Sequence, residues 1–260
     1  MNPTPAGQAL LDVFDTIYVI NLRKRTDRLR DMETQLARLG LGFDDRTIFR
    51  LDAWSFSDPG EYPTAGTRGC FHSHRDAWHR GLERSARQTV LVLEDDLNFA
   101  ADIEQRLPST IAALQMQDWS IFYGAVLQWS PTLKPEQGLG MALPDEGILG
   151  GHFIGIRGRE ALANLHAYLT AMDNRPAGSP DGGPMHVDGA YSWFRKAYPQ
   201  LKTFVAQPNL GVQRSSRTDI HQLSWKDRLP VIRDLTDHGR RLMRGVSSAL
   251  HNERGPPSRS

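Results

Sequence analysis

Apolar residues in this chain fall into two kinds of run. Short runs rich in β-branched, aliphatic and aromatic residues stand at 16–22 (TIYVINL), 46–51, 89–93 (TVLVL), 119–126, 148–156 (ILGGHFIGI) and 203–208. Lacking polar alternation, they read as strands covered on both faces, as parallel or mixed sheets require. Between them, apolar residues recur at helical spacing. Leu29, Met32, Leu36 and Leu39 follow Thr26 and Asp27 as candidate caps and stop at Gly40, and Phe71, His74, Trp78 and Leu82 share one face of a helix beginning near Gly69. Further helices are predicted over 101–115, interrupted or restarted at Pro108, over 159–172, and from Asp188 to about Ala197. Strand and helix alternate, which predicts an α/β domain.

The run at 89–93 ends in Glu94, Asp95 and Asp96. In open α/β sheets ligands collect at the carboxyl ends of strands, where chain order puts these acids. If the strand persists to Asp96, Glu94 and Asp96 point one way and Asp95 the other. Adjacent carboxylates repel, and a hard divalent cation such as Mg²⁺ or Mn²⁺, completed by substrate phosphates, relieves that repulsion. The bland alternative is a solvated acidic turn. Cys70, His72, His74 and His79 suggest zinc, but their spacing is unlike that of structural zinc sites, and His74 reads better as a core histidine with a hydrogen-bond partner.

Composition narrows the function classes. The 260 residues are 39% hydrophobic and 23% charged, ordinary for a globular protein, and the formal net charge of +1 argues against nucleic acid as a partner. The single cysteine, and the absence of a signal-peptide pattern or an apolar run of membrane-spanning length, predict a cytoplasmic protein. The expected organisation is a loose leader over 1–13, one domain over 14–220, and a basic, partly helical extension over 221–260. In that extension Trp225, Leu229, Ile232, Leu235 and Leu242 alternate with arginines. Two readings stand for it: an amphipathic helix on the inner face of an anionic membrane, or a helix packed on its own domain.

Several ordered blocks carry a family resemblance. GCFHSHRDAWHRGLERSARQTVLVLEDDLNF, preceded by IYVINLRKRTDR and LDAW and followed by GHFIGI, HVDGAY and QRSSRTDI, resembles the glycosyltransferase family 25 pattern over about residues 17–220. That family comprises bacterial lipooligosaccharide and lipopolysaccharide sugar transferases and related animal collagen galactosyltransferases. The resemblance implies a GT-A type fold, a Rossmann-like mixed sheet flanked by helices. It also implies a transferase moving a sugar, galactose most commonly, from a UDP-sugar to a saccharide or glycolipid hydroxyl with inversion, aided by Mn²⁺ or Mg²⁺. One departure is LDAW at 51–54, where the family has Ala-Val-Asp-Gly.

Site residues follow from the same resemblance. Asn21, Arg25 and Arg28 match the family's Asn-Leu-x-x-Arg-x-x-Arg pattern near the nucleotide, and Ser73, His74, Glu94, Asp95 and Gln213 are further donor-binding candidates. Asp96, Glu94 and His152 are the metal-ligand candidates, and Asp188 is the candidate base. Each has a plain structural counterpart: a solvated basic helix face for the arginines, a structural histidine for His152, a helix cap for Asp188. Ser215, Ser216 and Asp219 are expected to close the pocket or to form a polar loop. Residues 173–184, rich in Pro, Gly and Asp, are expected to form a lid over the donor. The competing class is a sugar-nucleotide-binding or interaction protein that keeps the fold without turnover.

Overall fold

The computed structural model describes residues 2–44 and 46–214, so Ser215, Ser216, Asp219 and the 221–260 extension lie outside the described residues. The described residues belong to one compact unit, Met1–Ser215. In chain order the elements are α1 (Pro5–Val13), β1 (Thr16–Asn21), α2 (Thr26–Arg38), β2 (Ile48–Asp52), α3 (Ala65–Arg84), β3 (Thr89–Glu94) and β4 (Leu97–Phe99). Then come α4 (Ile103–Gln115), β5 (Ile121–Ala125), β6 (Leu139–Ala142), β7 (Phe153–Arg157), α5 (Arg159–Asp173), α6 (Val187–Ala197), β8 (Thr203–Ala206) and β9 (Gly211–Gln213).

Seven strands form one mixed sheet in the order β2-β1-β3-β7-β5-β8-β6, and β4 pairs with β9 in a separate ribbon. β2, β1 and β3 are parallel to one another, and β7 runs antiparallel to β3. The apolar runs are explained by cover on both faces. Along β3, Leu91 and Leu93 enter one core with Leu10, Phe14, Met32, Leu36 and Ile111, while Val90 and Val92 enter the other with Phe71, Trp78, Leu165 and Phe194. This is the expected Rossmann-like mixed sheet flanked by helices.

Four local expectations need correction. The leader is not loose: Thr4 caps α1 by accepting from Gly7 N–H at 3.2 Å, and Ala6, Leu10 and Val13 are buried. Its apolar stripe is too short to register as a helical period in the sequence. α4 is continuous through Pro108, because Ile103, Leu107, Ile111 and Leu114 are all buried and their burial outweighs the lost backbone bond. The acidic strand stops at Glu94, with Asp95 and Asp96 in a turn, so the predicted side-chain alternation does not extend to Asp96. The turn lets the chain leave the large sheet and enter β4. Finally, α6 begins at Val187 with His186 as its N-cap, so Asp188 stands inside the first turn and is not the cap.

Candidate functional site

The register of the parallel strands brings three strand ends level. Asn21 pairs with Asp52 across β1 and β2, and Ile20 with Glu94 across β1 and β3. Because β7 is antiparallel to β3, its start lies at the same edge, where Glu94 N–H donates to the His152 carbonyl at 3.1 Å.

Asp95 and Asp96 are both buried, which demands counter-charge. Arg28, from the first turns of α2, supplies it, with Nη1 2.9 Å from Asp95 Oδ1 and 3.2 Å from Asp96 Oδ2. Asn21 Nδ2 donates to Asp95 Oδ2 at 2.7 Å and to the Arg25 carbonyl at 3.1 Å. Gln213 Nε2 donates to Asp96 Oδ2 at 3.3 Å. Arg214, which the sequence reading passed over, donates to the Asp95 carbonyl at 2.9 Å and pairs with Asp31. Its signal was its place beside Gln213 in a polar block. Arg25 turns to Asp27, with Nη2 to Oδ2 at 2.8 Å.

Glu94 faces a different set of partners. Trp78 Nε1–H donates to the Tyr191 hydroxyl at 2.9 Å, which leaves the hydroxyl proton for His74 Nδ1 at 2.8 Å. The ring proton of His74 then lies on Nε2, 3.2 Å from Glu94 Oε1. His74 is thus a core histidine with both nitrogens satisfied, as its helix face predicted, and it orients Glu94 from beneath. Burial pushes the Glu94 carboxyl up, but the His74 hydrogen bond and the neighbouring His74, His152 and Arg28 outweigh it and leave Glu94 below its usual range. Asp96 moves the opposite way. Burial first, then the Glu94 charge, raise its carboxyl to about 7 against the opposing pull of Arg28.

Asp188 joins this group: Oδ2 accepts from Gly150 N–H at 3.2 Å and Oδ1 from Gly189 N–H at 2.8 Å. Gly150 has φ +104, so the loop carrying His152 takes a turn that L-residues resist. Ser73 is not among the acids. Its Oγ accepts from Trp54 N–H at 2.9 Å and donates to the Gly69 carbonyl at 2.6 Å.

The donor set tests the fit of a cation. Among the described residues, the group whose ligand atoms lie within 4.8 Å of one another is Cys70, His74 and Glu94, rather than Glu94, Asp96 and His152. Cys70 and His74 therefore meet Glu94 instead of the His72 and His79 that the zinc reading paired them with. Yet both His74 nitrogens are already bonded, and burial, then Glu94, Asp188 and Asp96, push the Cys70 thiol well up. The unmet polar atoms lie elsewhere: Asp96 Oδ1 and both ring nitrogens of His152 are buried without a hydrogen-bond partner. Carboxylate oxygen with neutral imidazole suits Mn²⁺ better than thiolate does.

The 173–184 loop is tied down. Arg175 Nη1 donates to the Asp181 and Gly182 carbonyls at 2.5 and 3.0 Å, and Ala177 N–H donates to Glu61 at 3.1 Å.

Residues 14–137 match the family model "Glycosyltransferase family 25 (LPS biosynthesis protein)". The chain is similar to procollagen galactosyltransferase 1 of Danio rerio, 32% identical over 128 residues that span 42% of this chain and 21% of the relative. It is also similar to the inactive glycosyltransferase 25 family member 3 of Homo sapiens, 28% identical over 45% of this chain and 23% of the relative. The chain thus spans less than a quarter of the length of these two curated relatives. A glycosyltransferase involved in the glycosylation of the major capsid of PBCV-1 aligns with 75% of this chain and 93% of its own, at 12% identity and a TM-score of 0.36. No described helix is long and apolar enough to cross a membrane. The acids at the end of β3, the arginines after β1 and the helix that braces Glu94 all lie within residues 14–137, the segment that matches the glycosyltransferase family 25 model.

Proposed function

We propose that the chain transfers a sugar, galactose being the first candidate, from a UDP-sugar to a hydroxyl of a saccharide or glycolipid acceptor, with inversion and with Mn²⁺ or Mg²⁺. The observation that carries this reading is the buried edge of the sheet where Asp96 Oδ1 and both His152 nitrogens lack partners beside three carboxylates and Arg28. Buried polar groups left unmet are costly, and a ligand that meets them explains their persistence. The galactose assignment leans on the printed name of the procollagen galactosyltransferase relative.

In this reading Asp96, His152 and Glu94 would hold the cation, which would supply charge stabilisation to the departing diphosphate. Arg28 Nη1 bridges Asp95 and Asp96 and holds them adjacent, and Asn21 fixes the far oxygen of Asp95. The acceptor hydroxyl oxygen attacks the anomeric carbon as the bond from that carbon to the diphosphate oxygen breaks. Its proton passes to Asp188, whose carboxylate is held by Gly150 and Gly189 N–H donors and apart from Arg28. The free thiol of Cys70 is consistent with a reducing compartment such as the cytoplasm.

The test is nucleotide release from UDP-, GDP- and CMP-sugars with Mn²⁺, with and without chelator. Chelator-sensitive release from one UDP-sugar is expected. The human relative named inactive favours a second reading, a fold that binds the donor without turnover. Nucleotide binding by calorimetry with no release, even with saccharide acceptors present, would select that reading.

A further inference from the structure

The sequence block around Gly69 and Ser73 is not used by the acids it precedes; it seats a pair of aromatic rings. Trp54 lies two residues beyond the end of β2 and is 49% exposed. A Cβ on Gly69 would stand 2.5 Å from the Trp54 carbonyl oxygen, so only glycine lets α3 approach the Trp54 backbone this closely. Ser73, fully buried one turn later, receives the Trp54 N–H at 2.9 Å. The indole stacks on Phe56 with ring centroids 6.0 Å apart and planes 11° from parallel. Phe56 is held from behind by Arg68, its guanidinium 4.0 Å from the ring centroid, and by His72 at 4.9 Å. An exposed indole so fixed is a ready stacking surface.

Its place along the sheet edge indicates what stacks there. β2, β1 and β3 are neighbours, so the Trp54 end and the Asp96 end are two strand spacings apart, about 10 Å. That is the reach of a nucleoside diphosphate. Between them, at the end of β1, lies the segment carrying Arg23, Arg25 and Arg28, which pair with Asp52, with Asp27, and with Asp95 and Asp96 in turn, so that a diphosphate would compete with these carboxylates for their guanidinium groups. The edge therefore reads aromatic, cationic, acidic, in the order base, diphosphate, cation and sugar. A saccharide acceptor also packs on indole rings, but nothing in its chemistry calls for cations between that ring and the acids.

We propose that the Trp54–Phe56 shelf is the stacking subsite for the nucleobase of the donor; this rests on the transferase reading above. Stacking alone accepts any base, since each has a π-face, so the shelf supplies affinity and leaves base selection to hydrogen bonds elsewhere.

Calorimetry of the full chain with UDP in Mn²⁺ tests it, comparing the parent with Trp54→Ala and Trp54→Phe, and pyrophosphate serves as a ligand without a base. Trp54→Ala is expected to weaken UDP binding by about 10- to 100-fold, Trp54→Phe to restore most of it, and pyrophosphate binding to stay unchanged in both. Equal UDP affinity in the parent and Trp54→Ala overturns the shelf and leaves the transferase reading standing. A Trp54→Ala defect seen only in the KM for the acceptor also overturns it, moving the ring to the acceptor side. If the parent binds none of UDP, GDP and CMP, the donor reading falls and the shelf falls with it.

Discussion

Arg195 and Asp96 are both charged and almost wholly buried, at 1% and 7% exposure, yet their surroundings differ. Every arm of the Arg195 guanidinium is met: Nε donates to Thr203 Oγ1 at 3.1 Å, Nη1 to the Glu146 carbonyl at 2.8 Å and Nη2 to the Leu143 carbonyl at 2.5 Å. It pins α6 to β8 and to the loop after β6. Asp96 keeps one oxygen without a partner and shares Arg28 with Asp95, and at the same sheet edge the His152 ring has no hydrogen-bond partner. A buried charge that serves the fold is satisfied within the fold. One left unmet at a strand end implies a ligand to complete it.

The largest expected effect lies on the unmet side. Asp188→Asn keeps an acceptor for the Gly150 N–H but removes the base, so transfer should fall about 10²- to 10⁴-fold with the melting temperature nearly unchanged. Turnover within a few-fold of the parent would remove Asp188 from the chemistry. On the satisfied side, Arg195→Met removes the donor from the Glu146 carbonyl and from the buried Thr203 hydroxyl and should cost about 3 kcal/mol of stability in urea unfolding. A loss below about 1 kcal/mol would show that the hub is not structural.

Metal linkage gives a somewhat smaller signal. Mn²⁺ at a hundredfold excess over its Kd should stabilise the parent by about 2.7 kcal/mol in thermal unfolding, and chelator should remove the gain. Asp96→Asn should show little or none of that stabilisation. A full Mn²⁺ shift in this variant would move the cation to other residues, with Cys70, His74 and Glu94 the next set to test.

The smallest effect calibrates the contrast from an exposed acid. Burial raises the Asp44 carboxyl, but three N–H donors, Ile48 at 2.8 Å, Thr47 at 2.8 Å and Arg46 at 2.9 Å, outweigh it and leave it below its usual value. A depressed carboxylate adds stability above its unfolded pKa and loses it as pH falls through the folded one. Asp44→Ala should therefore cost about 1 kcal/mol at pH 7, and the gap from the parent should shrink below pH about 4. A gap that is constant with pH would mean that shape, not charge, matters there.

Much of the fold was legible because burial on both faces of a sheet writes itself into the chain as apolar runs. The strands at 16–21 and 89–94 and the helices after them followed from that rule. β6 was not legible: Leu139–Ala142 is four residues within a Gly/Pro-rich stretch, and its strand character comes from pairing with β8. α1 was missed because nine residues carry too little periodicity.

At the site, the sequence by itself determined which chemistry is available: three acids after an apolar strand, arginines after another, a histidine in the middle block and an aspartate in HVDGAY. Tertiary structure alone decided how they divide. Strand order and register put Arg28 on Asp95 and Asp96. The crossing of α3 and α6 put Tyr191 and His74 behind Glu94. Close packing at Gly69 gave Ser73 to Trp54. The physical reason is that composition and periodicity are local, whereas the partner of a buried polar atom comes from segments distant in the chain and is chosen only when they pack.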